Sequence, residues 1–123
     1  MNIVDSSGWL EYFANDKNAE IFEPIITTLD KLLVPTITLF EVFKKVLQQR
    51  DETQALKAIA IMQQGSLIEL TNSIAINAAK ISIEYKLPMA DSIILTTARQ
   101  YDATLWTQDK DFENIEGVKF VKK

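Results

Sequence analysis

Asn2-Ile3-Val4-Asp5-Ser6-Ser7-Gly8-Trp9-Leu10 reads as a short apolar strand that stops at an acid and turns directly into an aromatic-rich helix continuing through Tyr12 and Phe13. The same handover recurs along the chain. A helical stretch runs from about Asn18 to Leu29, with Pro24 expected to interrupt it or open its last turns. Leu32-Leu33-Val34 predicts a second strand, and Leu39, Val42, Phe43, Val46 and Leu47 lie at helical spacing within Thr36 to Arg50. A further helix from Thr53 to Gln63 is stopped by Gly65, and Leu67 to Leu70 predicts the third strand. Thr71-Asn72 caps a helix with Ile74, Ala78, Ile81 and Tyr85 on one face, and Leu87-Pro88 leads into another from Met89 to Tyr101. Thr104 to Thr107 and Val118 to Val121 supply strands four and five.

Apolar strands without alternation, separated by helices, imply a sheet covered on both faces. The expected fold is therefore α/β, a three-layer α/β/α sandwich with a mainly parallel central sheet of about five strands. Residues 1–123 are expected to form one domain, since a chain of 123 residues, 47% hydrophobic, suffices for one core. Strand order stays open, because two helices between successive strands leave each crossover path ambiguous.

Composition narrows the chemistry. With no cysteine and no histidine, disulfides, thiol nucleophiles, Cys/His zinc sites and histidine acid–base catalysis are excluded. Catalysis must use carboxylates, hydroxyls or lysine. The amino terminus has no basic stretch followed by an apolar one, and no run of about eighteen apolar residues occurs, so a soluble, cytoplasmic chain without membrane contact is expected. The net charge of −4 argues at first against nucleic acid. Yet setting four of the 17 acids aside as one metal site leaves 13 against 13 basic residues.

Four acids are candidates for such a site. Open parallel sheets bind ligands beyond the carboxyl ends of their strands. Asp5 follows the first strand, although an acid there also serves as a helix N-cap. Glu41 lies near the start of the third helix on the side of Lys44, Lys45 and Gln48. Its bland role is a capping box with Thr38 or an ion pair with Lys45. Asp91 is the most informative, because at about 100° per residue it falls among Ile94, Leu95 and Ala98, in the apolar sector of its helix. A carboxylate there needs donors, a cation or a metal. Asp109 follows the fourth strand in Thr107-Gln108-Asp109-Lys110-Asp111-Phe112, where a turn is the ordinary role. All four can converge on one sheet edge, and clustered carboxylates hold hard cations such as Mg²⁺ or Mn²⁺. Paired acids of a receiver-type phosphoacceptor, an Asp-x-Asp phosphatase motif and a glycine-rich phosphate loop are absent, with Ser6 and Ser7 following Asp5 and three glycines in all.

Together, Ile3-Val4-Asp5-Ser6-Ser7, the mid-chain Glu41, Leu87-Pro88-Met89-Ala90-Asp91-Ser92-Ile93-Ile94 and Thr107-Gln108-Asp109-Lys110-Asp111-Phe112 resemble PIN-domain nucleases of the VapC type across nearly the whole chain. The resemblance implies a single PIN domain and a magnesium-dependent endoribonuclease with Asp5, Glu41, Asp91 and Asp109 as its acids. It makes Asp5 and Asp91 direct metal ligands, Asp109 a ligand directly or through water, and Glu41 a second-metal ligand or water orienter. Asp111 can substitute for Asp109, and the hydroxyl of Ser6 or Thr107 supports a carboxylate or substrate. Homodimerisation, an RNA substrate and a cognate antitoxin are also implied. Trp9, Tyr12 and Phe13 either form part of an antitoxin groove or pack in the core. Lys44, Lys45, Arg50, Arg99 and Lys110 are candidate phosphate contacts, or simply solvated. The competing possibility is a PIN-like module that binds RNA or a partner without cleavage, which retention of all four acids disfavours.

Overall fold

In the computed structural model, which describes residues 1–123, eleven elements alternate along the chain. They are β1 (Asn2–Val4), α1 (Ser6–Ala14), α2 (Ala19–Thr27), β2 (Leu32–Pro35), α3 (Thr36–Gln49), α4 (Glu52–Met62), β3 (Ser66–Ile68), α5 (Asn72–Tyr85), α6 (Met89–Gln100), β4 (Thr104–Thr107) and β5 (Val118–Phe120). The strands form one sheet in the order β3-β2-β1-β4-β5, every pair parallel. The expected α/β/α sandwich is thus what the chain forms. No helix is long and apolar enough to cross a membrane.

Register explains the two cores. Ile3 pairs with Leu33 and Leu105, and these side chains join Leu87, Ile94, Leu95, Ala98 and Phe112 in one apolar cluster. Val4, Leu32 and Val34 point to the other face, where they pack with Trp9, Phe22, Ile26, Val42, Ala58 and Met62. Successive residues of each strand therefore serve opposite layers, and burial of both faces accounts for continuous apolar strands. Helix α6 is buried from Ser92 to Ala98. Its hydroxyls are satisfied locally: Ser92 Oγ donates to the Met89 carbonyl (2.7 Å), Thr96 Oγ1 to Ser92 (2.7 Å) and Thr97 Oγ1 to Ile93 (2.8 Å).

Two elements end two residues short of the sequence expectation, the other boundaries differing by at most one. The third strand occupies Ser66–Ile68 rather than Leu67 to Leu70. Gly65 lies so close to β2 that an added Cβ would sit 2.9 Å from Val34 Cγ2, so pairing begins immediately after it, with Ser66 opposite Leu33. Pro24 lies inside α2, which ends at Thr27 rather than Leu29. The hydroxyls of Thr27 and Thr28 donate to the carbonyls of Glu23 (2.9 Å) and Pro24 (2.7 Å), and Leu29–Lys31 tightens into a 3-10 turn.

Gly8, in the first turn of α1, is where helix and sheet approach most closely. A Cβ there would lie 2.5 Å from Val4 Cγ1 and 2.8 Å from Phe22 Cε1, both in the core. Gly8→Ala is expected to lower stability by about 1–3 kcal/mol, outweighing the helix propensity of Ala. Denaturant unfolding checks this, and an unchanged midpoint would show that Val4 and Phe22 can move aside.

Candidate metal centre

β1 is central, with β2 on one side and β4 on the other, so the chain switches direction across the sheet at β1. A crevice forms at such a switch point beyond the carboxyl ends of the strands. Asp5 stands at its base. Its backbone N–H donates to the Trp106 carbonyl (3.1 Å), continuing the β1–β4 ladder one step beyond the strand and bringing Thr107 alongside. The side chain is 2% exposed. Oδ1 accepts from Ser7 Oγ (2.7 Å) and the Gly8 N–H (3.1 Å), and Oδ2 accepts from Thr107 Oγ1 (2.6 Å). Asp5 is thus both the N-cap of α1 and the floor of the crevice. Burial pushes its carboxyl up to about 6, against the opposing pull of these three donors, and Asp109 adds a further upward contribution.

The other acids arrive from three elements. Pro35 ends β2 and caps α3, placing Glu41 in the second turn of that helix, half-buried. Glu41 Oε1 accepts from Ser6 Oγ (2.6 Å), which ties α3 to the start of α1. The expected capping box is not formed, because Thr38 Oγ1 donates to the Pro35 carbonyl (2.6 Å). Asp91 lies in the first turn of α6. Asp109 caps the 3-10 turn Lys110–Phe112 by accepting from the Asp111 N–H (3.0 Å), and its own N–H donates to Thr107 Oγ1 (2.9 Å).

Carboxylate oxygens of Asp91, Asp109 and Asp111 all lie within 4.8 Å of one another. Asp91 is pushed up to about 7, first by burial and then by the charges of Asp109, Asp5, Glu41 and Asp111. Asp91, Asp109 and Asp111 thus form the close cluster, and the charges of Asp5 and Glu41 reach Asp91 from its surroundings. A half-buried carboxylate surrounded by four others, with no donor to relieve it, is the donor set of a hard cation. The residues fit Mg²⁺ or Mn²⁺, ions that take carboxylate and water oxygens and need no histidine or cysteine.

Sequence reasoning missed three supports. Ser7, rather than Ser6, steadies Asp5. Gln108, 5% exposed, donates through its N–H to Ser7 Oγ (3.2 Å) and through Nε2 to Glu11 Oε1 (2.9 Å). Asn18, equally buried, donates through Nδ2 to Gln108 Oε1 (3.0 Å), while its N–H donates to Glu11 Oε2 (2.9 Å). The Asn18 N–H, followed by the Gln108 amide, holds the Glu11 carboxyl below its ordinary range.

The structure also places the aromatic and basic residues whose roles were left open. Trp9 is fully buried, stacked on Phe13 with ring centroids 5.7 Å apart, so it belongs to the core and not to a groove surface. Arg99 stacks on the Tyr85 ring and donates to the Tyr85 hydroxyl (3.1 Å) and the Glu116 carbonyl (3.3 Å). Two turns along α6 from Asp91, it lies at the opposite end of the helix from the acids, about 12 Å away at 1.5 Å per residue. Lys44 lies over the Phe40 ring, 5.8 Å from its centroid.

A parallel α/β sandwich with a carboxylate cluster at its switch point is a frame able to hold a divalent cation through oxygen. The PIN domain family matches residues 3–118, and the chain belongs to that family. No curated protein sequence matches the chain. Among solved structures, a toxin–antitoxin complex from Klebsiella pneumoniae superposes with a TM-score of 0.80 at 24% identity, with 100% of both chains covered. The sarcin–ricin-loop-cleaving toxin VapC20 of Mycobacterium tuberculosis gives a TM-score of 0.79 at 17% identity, covering 100% of this chain and 98% of that one. DNA-bound VapBC from Salmonella typhimurium gives 0.76 at 16% identity, covering 99% and 98%. At these identities the likeness is one of fold.

The raised carboxyls make a signed prediction. Asp5 and Asp91 start from 3.8 and are held near 6 and 7 in the folded chain, so between these limits the folded state binds more protons than the unfolded state. Stability without divalent metal is then greatest at the acid end of that window and falls as pH rises toward 7. Thermal melts in EDTA from pH 5 to pH 8 should show the decline, and Asp91→Asn should flatten it. A wild-type melting temperature that rises over the same range would refute the clustering of these acids.

Proposed function

We propose that the chain is a magnesium-dependent endoribonuclease, the toxin of a type II toxin–antitoxin pair, with residues 1–123 acting as one PIN domain in the cytoplasm. The observation that carries this reading is the cluster of Asp91, Asp109 and Asp111, whose carboxylate oxygens lie within 4.8 Å of one another, with Asp5 at the sheet's switch point beneath it. Family membership and the toxin named among the similar structures support a nuclease.

Asp5 and Asp91 would hold the ion directly, and Asp109 directly or through water, with Asp111 beside it. Mn²⁺ would substitute for Mg²⁺. An ion held by these residues would supply Lewis acidity to a water and positive charge to offset that of the scissile phosphate. Thr107 and Ser7 keep the Asp5 oxygens turned toward the crevice. Ser6 engages Oε1 of Glu41, leaving Oε2 to hold a second ion or to orient the attacking water and accept its proton. With no histidine in the chain, that proton acceptor has to be a carboxylate.

Two protein partners go with this function. A groove of about 590 Å³ beside α1, α3 and α4, lined by Leu10, Phe13, Val46 and Ile61 and edged by Lys45 and Arg50, suits an apolar, acidic segment of an antitoxin. Phe13, not Trp9, is then the aromatic contact. Exposed Phe40, Ile76 and Met89 on α3, α5 and α6 support a homodimer surface.

Incubation of total cellular RNA with the purified chain in Mg²⁺, Mn²⁺ or EDTA tests the activity. Fragments are expected with either metal, none in EDTA, and at least a hundredfold less cleavage by Asp5→Asn or Asp91→Asn. A folded wild type that leaves RNA intact in every metal would replace the enzyme with a binding module. Binding is tested separately by stability. Mg²⁺ at ten times its dissociation constant should add about 1.4 kcal/mol, and Asp91→Ala should lose that response. A variant that keeps the full response would remove Asp91 from the ion's ligands.

A further inference from the structure

A second feature lies on the far side of Asp109. β5 pairs with β4 so that Phe120 is opposite Thr107, the residue whose hydroxyl holds Asp5. Past β5 the chain is pinned twice to the site. The Val121 N–H donates to the Thr107 carbonyl (2.7 Å), and Asn18 Nδ2 donates to the Lys122 carbonyl (3.2 Å). Asn18 is 5% exposed and held by Gln108 and Glu11, so this anchor is part of the buried network and not a loose surface contact. The result is a cleft of about 600 Å³ whose walls include Ser7, Asp109 and Lys110 on one side and Phe120, Lys122 and Lys123 on the other.

Three lysines and an aromatic ring face a single acid there, and that acid belongs to the metal centre. In a chain of net charge −4 this is a local reversal of sign. We propose that the cleft is a binding subsite for a single-stranded segment of RNA adjoining the scissile phosphate, with Phe120 as the stacking platform and Lys110, Lys122 and Lys123 as the phosphate contacts. The proposal rests on the nuclease function above. Stacking on Phe120 requires an unstacked base, which single strands offer and duplexes do not. The polar groups lining the cleft are already committed. Ser7 Oγ donates to Asp5, and the Gln108 amide is shared between Glu11 and Asn18. Gln108 is 5% exposed and its amide is bonded within the protein, so this subsite grips sequence-tolerantly by charge and stacking.

Counterion release supplies the test, since each phosphate contact to a single strand contributes about 0.7 to the slope of log affinity against log salt. A labelled single-stranded RNA is titrated by anisotropy in EDTA, where cleavage does not compete, over a range of salt. The K110Q/K122Q/K123Q variant should lower the slope by about 2. In Mg²⁺ it should raise KM while keeping kcat at saturating RNA. Phe120→Leu should weaken binding roughly tenfold with the slope unchanged, and Phe120→Tyr, which keeps the ring, should bind as wild type and report on folding. A wild-type slope in the triple variant, or wild-type affinity in a folded Phe120→Leu, overturns the subsite even if the wild type cleaves RNA. If the slope falls as expected while the wild type cleaves nothing in any metal, the RNA subsite stands and the nuclease function fails.

Discussion

The Asp5 carboxylate, sealed between the ends of β1 and β4, is the constraint from which the rest of the site follows. An unpaired charge in that position costs several kcal/mol, so its oxygens must be met by donors. Three are supplied from two directions: Ser7 and Gly8 from the first turn of α1, Thr107 from β4. Meeting them fixes where α1 begins and binds the amino-terminal strand to a segment about a hundred residues away. It also makes Asp5 a structural residue as well as a site residue. Asparagine keeps an acceptor for the Gly8 N–H at nearly the same volume, whereas alanine would remove the cap and leave Thr107 without its acceptor. The Asn variant therefore separates charge from scaffold.

Above that floor the fold accepts an unfavourable arrangement. Asp91, Asp109 and Asp111 crowd together, and burial with the charges of these acids and of Asp5 and Glu41 raises Asp91, a half-buried member with no relieving donor. Such a cluster destabilises the metal-free state and persists only where surrounding structure is stable enough to impose it. Here the support is α6, buried from Ser92 to Ala98 against Ile3, Leu105 and Phe112. Its polar residues return their hydroxyls to their own helix, so none competes for the crevice. The strain at the helix's first turn is carried by packing along the turns that follow.

Much of this was legible in the amino-acid sequence, for identifiable reasons. Apolar strands and helical spacing depend on local periodicity, so their order and approximate limits follow from the chain itself. Asp91 stood out because a charge in an apolar sector contradicts its neighbours. What periodicity cannot do is assign partners across the fold. Ser6 and Ser7 are adjacent, but about 100° of helical rotation separates them, and it sends one to Glu41 and the other to Asp5. Gln108 reaches Asn18 across 90 residues and Glu11 across 97, with no motif to mark either bond. That Asp109 and Asp111 both lie beside Asp91 follows from a 3-10 turn that spacing alone does not reveal. Strand order, undetermined by connectivity, is what places Asp5 at the switch point.

The overall charge of −4 is a poor guide to how the surface meets a polyanion, because the acids are unevenly distributed. Asp91 and the four acids whose charges act on it account for five of the 17, leaving 12 against 13 basic residues over the rest of the molecule. A phosphate entering the crevice without a cation would face those five carboxylates at short range, where screening is weakest. A cation entering alone would complete its shell with water. The ion would therefore remove the obstacle to the phosphate, and by linkage whatever phosphate affinity it adds equals the ion affinity that the phosphate adds. The acidic cluster opposes a polyanion locally, and a divalent ion would relieve that opposition without altering the basic surface outside it.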